Sequence, residues 1–367
     1  MNRGGAETLL MHVYRQMDRR QLQFDFVSHQ LKKGDYDDEI HALGGSVYRI
    51  ESLGQVGMRR YIQSLKAIME TRQYCAVHAH TDYQSGFPAY AAKRVGVPIR
   101  ICHSHANYWD RQATLTGKAS LKLLQSIIRF SATDYCACSV EAARFLFGER
   151  KLQDQVHILK NGIPINSFLE AGTQREQYSC QLKQTLQLSQ TAVLLGQVGR
   201  LSTTKNQTFT LHLIKACRAS GLEIYGLFVG AGSLKAALQK EAEALGIAGH
   251  IRFLGVRSDM PRLMAAFDCV LLPSISEGFG MVAIEAQCAG TPCIASDQVP
   301  RATDTGVDLI TYLPLKADIN RWVQVVAERS SHPQICPKTI HAAFSQNGFD
   351  IGESLSQWLH LYGVTAV

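Results

Sequence analysis

The sequence predicts an α/β protein made of two doubly wound parallel-sheet units, and three observations lead there. Short apolar runs alternate with amphipathic stretches of helical length, the pattern of parallel strands joined by crossover helices. The 367 residues exceed what a single hydrophobic core usually organises. After a polar stretch at 174–190, the strand-and-helix pattern starts again near Ala192.

In order, the first half carries expected strands at 24–28, 47–50, 75–80, 99–103, 135–139 and 156–160. Helical stretches near 6–17, 58–72, 85–95, 115–130 and 140–147 lie between them. The chain opens Met1-Asn2-Arg3-Gly4-Gly5-Ala6-Glu7, a glycine turn running into a helix, where a doubly wound unit should open on a strand. That predicts either a start upstream of Met1 or a first sheet without one of its central strands. The turn Asn161-Gly162-Ile163-Pro164 closes this half, and 174–190 reads as a linking helix. Strands of the second half are expected at 192–198, 224–229, 251–254, 269–272 and 292–295. Domains are therefore expected at 1–165 and 166–345, with 346–367 a C-terminal helix crossing back to the first. Open sheets bind ligands beyond the carboxyl ends of their strands, which puts the expected active site in a cleft between the units.

Composition narrows the class. Hydrophobic residues at 46% and charged residues at 19% describe a folded, soluble chain rather than a disordered one. No window holds the roughly 18 uninterrupted apolar residues of a membrane span, and the N-terminus has no basic-then-apolar signal. The expectation is a cytoplasmic protein. Most of the ten cysteines sit in apolar runs (Cys75, Cys102, Cys136, Cys217, Cys269, Cys293) and are expected as reduced core thiols; the Cys136-x-Cys138 pair alone is a weak metal signal. Net charge is +7, and residues 1–160 hold 22 Lys and Arg against 15 Asp and Glu, while 161–367 hold 16 of each. The basic half suits an anionic neighbour such as a phospholipid surface or a phosphorylated acceptor; a merely basic surface explains it equally.

The stretch from Ser274 to Ser296, SISEGFGMVAIEAQCAGTPCIAS, looks like buried core yet holds Glu277 and Glu285 with no Lys or Arg beside them. Residues 270–273 read as a buried strand and 281–289 as a helix, so Glu277 lies in the strand-to-helix loop and Glu285 one turn into the helix. Gly278 and Gly280 let backbone approach a ligand closely, and the helix start offers unpaired N–H groups and partial positive charge, together with Phe279 and Met281. Carboxylates so placed can accept hydrogen bonds from sugar and ribose hydroxyls. The plainer explanation, a capping acid and a surface acid, fits poorly because Ile284 and Ala286 flank Glu285 in a helix apolar on nearly all sides.

This loop and helix closely resemble the Glu, seven residues, Glu motif of retaining glycosyltransferases of family 4, whose GT-B fold is two facing Rossmann-like domains. Gly199-Arg200-Leu201-Ser202 with Lys205-Asn206 resembles the family's basic phosphate-binding loop, and Phe228-Val229-Gly230-Ala231-Gly232 its glycine turn. Phe253-Leu254-Gly255 with Asp259 resembles the next strand and loop. Gly4-Gly5-Ala6-Glu7 resembles the glycine loop facing donor diphosphate and acceptor, and Asn161-Gly162-Ile163 the interdomain turn, although Pro164 stands where the family usually has Asp. Together these pieces cover nearly the whole chain.

The resemblance implies a metal-independent enzyme that moves a sugar from a nucleoside diphosphate sugar, UDP-sugar favoured, with no cofactor. Arg200 and Lys205 are the expected cations for the leaving diphosphate. Glu277 would bind donor-sugar hydroxyls and Glu285 the ribose. His103 matches the family's active-site histidine, with His105 and His80 as second choices. Asp35-Tyr36-Asp37 has the spacing of a metal-binding Asp-x-Asp, but it lies in the polar run 32–39 with no strand before it and reads as a solvated loop. Residues 115–130 combine Leu, Ile and Phe with Lys118, Lys122 and Arg129, as an interfacial helix would, although a helix packed on its own sheet shows the same pattern. The expected acceptor is a lipid-linked or oligosaccharide glycan of bacterial exopolysaccharide, capsule or lipopolysaccharide synthesis, met at the inner face of the membrane.

Rival readings lack residues. A nicotinamide oxidoreductase needs a third glycine where Lys235 follows Gly230-Ala231-Gly232, and no P-loop occurs. A GT-B sugar nucleotide epimerase would use the same donor residues, and a non-catalytic partner subunit is the remaining alternative. Nucleic acid is not an expected partner.

Overall fold

Parallel strands frame both halves of the chain. The computed structural model describes residues 1–106, 109, 114–149 and 155–364. The chain divides into a first unit, Met1–Gly162 with Ile351–Val367, and a second unit, Ile163–Asp350.

In the first unit the order is α1 (Gly5–Gln16), β1 (Phe26–Ser28), α2 (Asp37–Ala42), β2 (Val47–Arg49), α3 (Leu53–Met69), β3 (Ala76–Ala79), α4 (Gly86–Arg94), β4 (Ile99–Ser104), α5 (Leu115–Ser131), β5 (Asp134–Ala137), α6 (Val140–Phe147) and β6 (Val156–Ile158). No strand precedes α1, and the described strands fall into two parallel sheets, β1-β2 and β3-β4-β5-β6. The helix expected near 58–72 starts earlier, at Leu53, and is broken at Gly57, whose φ of +73° a glycine adopts without strain.

One expectation is corrected here. Only part of the polar run 32–39 is a solvated loop: Lys32, Lys33 and Asp35 are exposed outside any helix, whereas Asp37 begins α2 and is buried with Ile40. Asp37 accepts hydrogen bonds from Gly34 N (3.0 Å) and Arg49 Nη2 (2.6 Å) and pairs with the N-terminal amine. Its carboxylate is therefore engaged within the protein.

The second unit runs α7 (Ile165–Thr173), α8 (Arg175–Thr185), β7 (Val193–Val198), α9 (Gln207–Ala219), β8 (Ile224–Val229), α10 (Lys235–Ala244), β9 (Ile251–Gly255), α11 (Met260–Ala266), β10 (Cys269–Leu272), α12 (Met281–Cys288), β11 (Cys293–Ser296), β12 (Ile310–Leu313), α13 (Ile319–Ser330) and α14 (Pro337–Gln346). The expected linking helix is two helices, α7 and α8, and β12 adds an edge strand beyond those expected. The six strands form one parallel sheet in the order β12-β11-β10-β7-β8-β9. Every residue of β10 and β11 is buried, as strands covered on both faces require. Leu195, Leu211, Ile214, Phe228, Leu271, Ile294, Trp322 and Val325 make the core on one side of this sheet.

The last helix, α15 (Ile351–Leu361), returns to the first unit, where Ile351, Trp358 and Leu361 pack with Leu9, Val13, Ile101 and Leu159. All ten cysteines are free thiols, and Cys75 is exposed rather than part of the core.

Candidate active site

Sheet order selects the site in the second unit. β7 lies between β10 and β8, so the chain builds outward from β7 on one side and later returns to its other side. The neighbouring strands β7 and β10 thus send their crossovers in opposite directions, and such a switch point is where doubly wound sheets bind ligands. The loop after β7 carries Gly199, Arg200 and Lys205; the loop after β10 carries Glu277, Gly278, Phe279 and Gly280. Ile275 N donates to the Thr204 carbonyl (2.8 Å) and Asn206 Nδ2 to the Pro273 carbonyl (3.1 Å), which ties the two loops together. Asn206 reaches Pro273 from a left-handed conformation, φ +55°.

The glycine turn after β8 lies against the same loop. Gly199 N donates to the Val229 carbonyl (2.9 Å) and Leu201 N to the Ala231 carbonyl (3.0 Å). A Cβ at Gly230 would overlap the Gly199 carbonyl, and one at Gly232 the Leu201 carbonyl. Gly230 also holds φ at +131°.

The electrostatics separate the expected residues. Lys205 Nζ is ion-paired with Glu277 Oε1, which also accepts from Ser274 Oγ (2.7 Å), so both groups are neutralised locally. Arg200 is exposed, and its guanidinium has no partner among the described residues. Gly280 starts α12 in a left-handed conformation, φ +96°, without a side-chain cap, so the N–H groups of the first turn remain available to an anion.

Glu285 is buried, 9% exposed, and its carboxylate meets no hydrogen-bond donor among the described residues. Burial alone pushes its carboxyl up to about 7. Its neighbour Gln287 shows the contrast: Nε2 donates to the carbonyls of Ala283 (2.9 Å) and Thr303 (2.7 Å), and Oε1 accepts from Thr305 N and Oγ1 (3.2 and 2.9 Å). In a neighbourhood that satisfies its polar groups, an unsatisfied carboxyl is a candidate ligand-binding group.

Sequence reasoning missed the residues that hold the loops. Gln197, buried in β7, donates from Nε2 to the Lys205 carbonyl (2.7 Å) and accepts from Thr210 Oγ1 (2.7 Å). Gln207 donates to the Arg200 carbonyl (2.9 Å), and Ser296 Oγ donates to the Ser274 carbonyl (2.6 Å). Gln197 was the legible one, a polar residue inside an otherwise apolar strand.

In the first unit, Gly4 is the extended N-cap of α1 (φ −123°, ψ 171°) and Gly5 its first residue. His103 departs from expectation: it is wholly buried on the sheet face, beneath Trp358, and presents no surface to a substrate. Strand alternation pointed it inward, and the C-terminal helix covers it.

Residues 4–162 match the model of the glycosyl transferase 4-like domain, and residues 181–313 that of the glycosyl transferases group 1. The putative glycosyltransferase EpsF of Bacillus subtilis is 34% identical over 367 residues, covering 100% of this chain and 94% of that protein. The chain is a family 4 glycosyltransferase. Among its relatives, the capsular polysaccharide biosynthesis glycosyltransferase CapH of Staphylococcus aureus is 25% identical over 294 residues, 78% of this chain and 76% of that one. The crystal structure of Anabaena Alr3699/HepE in complex with UDP and glucose superposes with a TM-score of 0.75 at 20% identity, covering 98% and 96% of the two chains, a likeness of fold. The lipopolysaccharide glycosyltransferase WaaG gives 0.65 at 14% identity, over 95% and 92%. This glycosyltransferase therefore has the GT-B fold and is a hexosyltransferase of polysaccharide or glycan synthesis, using a nucleotide-sugar donor and a glycan acceptor. Among the described residues, no helix is long and apolar enough to cross a membrane.

Proposed function

We propose that this glycosyltransferase transfers a hexose from a UDP-sugar, with retention at the anomeric carbon and no metal at the diphosphate, to a lipid-linked glycan of cell-surface polysaccharide synthesis. The observation that carries the reading is Glu285, a buried carboxyl that meets no donor among the described residues, at the switch point of the second sheet. Ribose hydroxyls would satisfy it. The unpartnered Arg200 and the uncapped start of α12 supply positive charge for the diphosphate, the role a divalent ion plays elsewhere. Lys205 would move from Glu277 to the diphosphate as the donor enters, freeing Glu277 for the sugar hydroxyls, with Gly230, Gly278, Phe279 and Met281 along the approach. In the reaction the bond from C1 to the diphosphate oxygen breaks, the acceptor oxygen bonds C1 on the same face, and the acceptor's proton passes to the departing phosphate. Uridine is favoured by the ligands named for HepE and by the UDP-Gal-dependent galactosyltransferase of Escherichia coli, 25% identical over 239 residues.

Helix α5 supports an acceptor met at the inner face of the cytoplasmic membrane. Its exposed side carries Leu115, Leu123 and Phe130, 85%, 64% and 63% exposed, beside Lys118, Lys122 and Arg129, and the helix has no acidic residue. Apolar side chains bordered by cations suit an anionic lipid surface.

A melting-temperature panel of nucleoside diphosphates and their sugars, with and without chelator, tests the reading. A UDP-sugar should raise the melting temperature most, and chelator should leave that shift unchanged. Glu285→Ala, Arg200→Ala and Lys205→Ala should each abolish transfer in folded protein; near-normal turnover in any two would refute this mechanism.

A further inference from the structure

Four histidines gather at the carboxyl ends of the neighbouring strands β3 and β4. His78 lies in β3 and His103 in β4, His80 and His105 each follow one residue past those strands, and the parallel register that pairs His78 with Ile101 brings the four rings together. Ring centroids lie 4.1 Å apart for His78 and His80, 4.9 Å for His80 and His103, and 5.1 Å for His78 and His103. Trp358 of α15 covers them, 5.2 to 5.9 Å from those three rings.

The hydrogen bonds of the cluster leave three ring nitrogens over, His80 Nε2, His103 Nε2 and His105 Nδ1. His78 Nδ1 meets Tyr362 Oη (2.7 Å), His78 Nε2 meets His103 Nδ1 (3.1 Å), and His80 Nδ1 meets His105 Nε2 (2.8 Å). Among the described residues, His80 Nε2 and His103 Nε2 are buried with no partner. When His78 Nδ1 donates to Tyr362, the proton order along the chain leaves a lone pair on His103 Nε2. Burial disfavours the protonated form of all four imidazoles.

We propose that His78, His80 and His103 form a binding site for a borderline divalent metal ion such as zinc, cobalt or nickel. Each ring offers one nitrogen, and the three lie within 4.8 Å of one another. Three neutral imidazoles with no carboxylate among them select such metals over magnesium or calcium, and they leave a fourth position open. The Tyr362 hydroxyl on His78 Nδ1 orients that ring from outside, as partners of metal-bound histidines do. Binding exchanges the weak His78–His103 contact for bonds to the ion and satisfies both orphaned nitrogens. The site consists wholly of first-unit residues and is independent of the donor-site reading.

Metal-stripped full-length protein titrated with cobalt(II) should develop the visible absorption of tetrahedral, nitrogen-bound cobalt with saturation at one ion per chain. Zinc should displace the cobalt and raise the melting temperature. X-ray absorption of the zinc-loaded wild type should report nitrogen neighbours at about 2.0 Å and no sulfur. His80→Gln should bind about tenfold or more weakly, while His157→Gln, exposed on β6 and outside the cluster, should keep binding. No absorption and no melting shift in the wild type, sulfur in the zinc shell, or unchanged affinity in folded His80→Gln would each overturn the site. If His80→Gln does not fold, the wild-type X-ray absorption decides.

Discussion

Burial of Glu285 costs the folded state stability. Its carboxyl ordinarily titrates near 4.5 and is raised by burial to about 7. Between those values the folded state holds a proton that the unfolded state has released, so stability falls as pH rises through this window, by about 3 kcal/mol in all. Glu285→Gln removes that loss. Its melting temperature should match the wild type near pH 5 and exceed it by several degrees at pH 8, and its transfer activity should be lost. Lys205 and Arg200 also differ at this scale. Lys205→Ala leaves Glu277 buried with only Ser274 as partner, and urea denaturation should show a loss of roughly 2–4 kcal/mol. Arg200→Ala should change stability by no more than about 0.5 kcal/mol while abolishing transfer. Both cations were legible in the sequence; that one is neutralised by a glutamate 72 positions away was not.

At the scale of elements, the glycine turn is the sharpest test. Gly230→Ala meets both a φ of +131° and the Gly199 carbonyl, so it should cost upwards of about 2 kcal/mol and weaken nucleotide binding by displacing the Arg200 loop. Chemical denaturation and nucleotide titration measure the two effects. Helix α5 predicts a surface phenotype: Leu123→Glu with Phe130→Glu should release the protein from anionic liposomes in flotation and leave its melting temperature nearly unchanged, since both side chains are exposed. The strands read in the sequence recur within a few residues because their apolar runs are continuous. α2 was unreadable because its composition is polar, and it is contacts from Gly34, Arg49 and the N-terminal amine, none adjacent in sequence, that hold Asp37.

For the whole molecule, the returning helix α15 completes the core of the first unit. Trp358 is fully buried against the histidine face, and Trp358→Ala should destabilise that unit by about 3–5 kcal/mol, lowering its unfolding transition in calorimetry while the second unit's own transition holds. The sequence by itself determined the two-unit α/β architecture, the glycine turns and the acids of the second unit, because hydrophobic period, glycine and charge are local properties of a chain. Tertiary structure decided what those residues meet. Sheet order brought the loops after β7 and β10 together, burial without a donor raised Glu285, and strand alternation under a covering tryptophan turned His103 inward to join other histidines. Pairing and burial depend on what distant segments place beside a side chain, and that is settled only when the chain has folded.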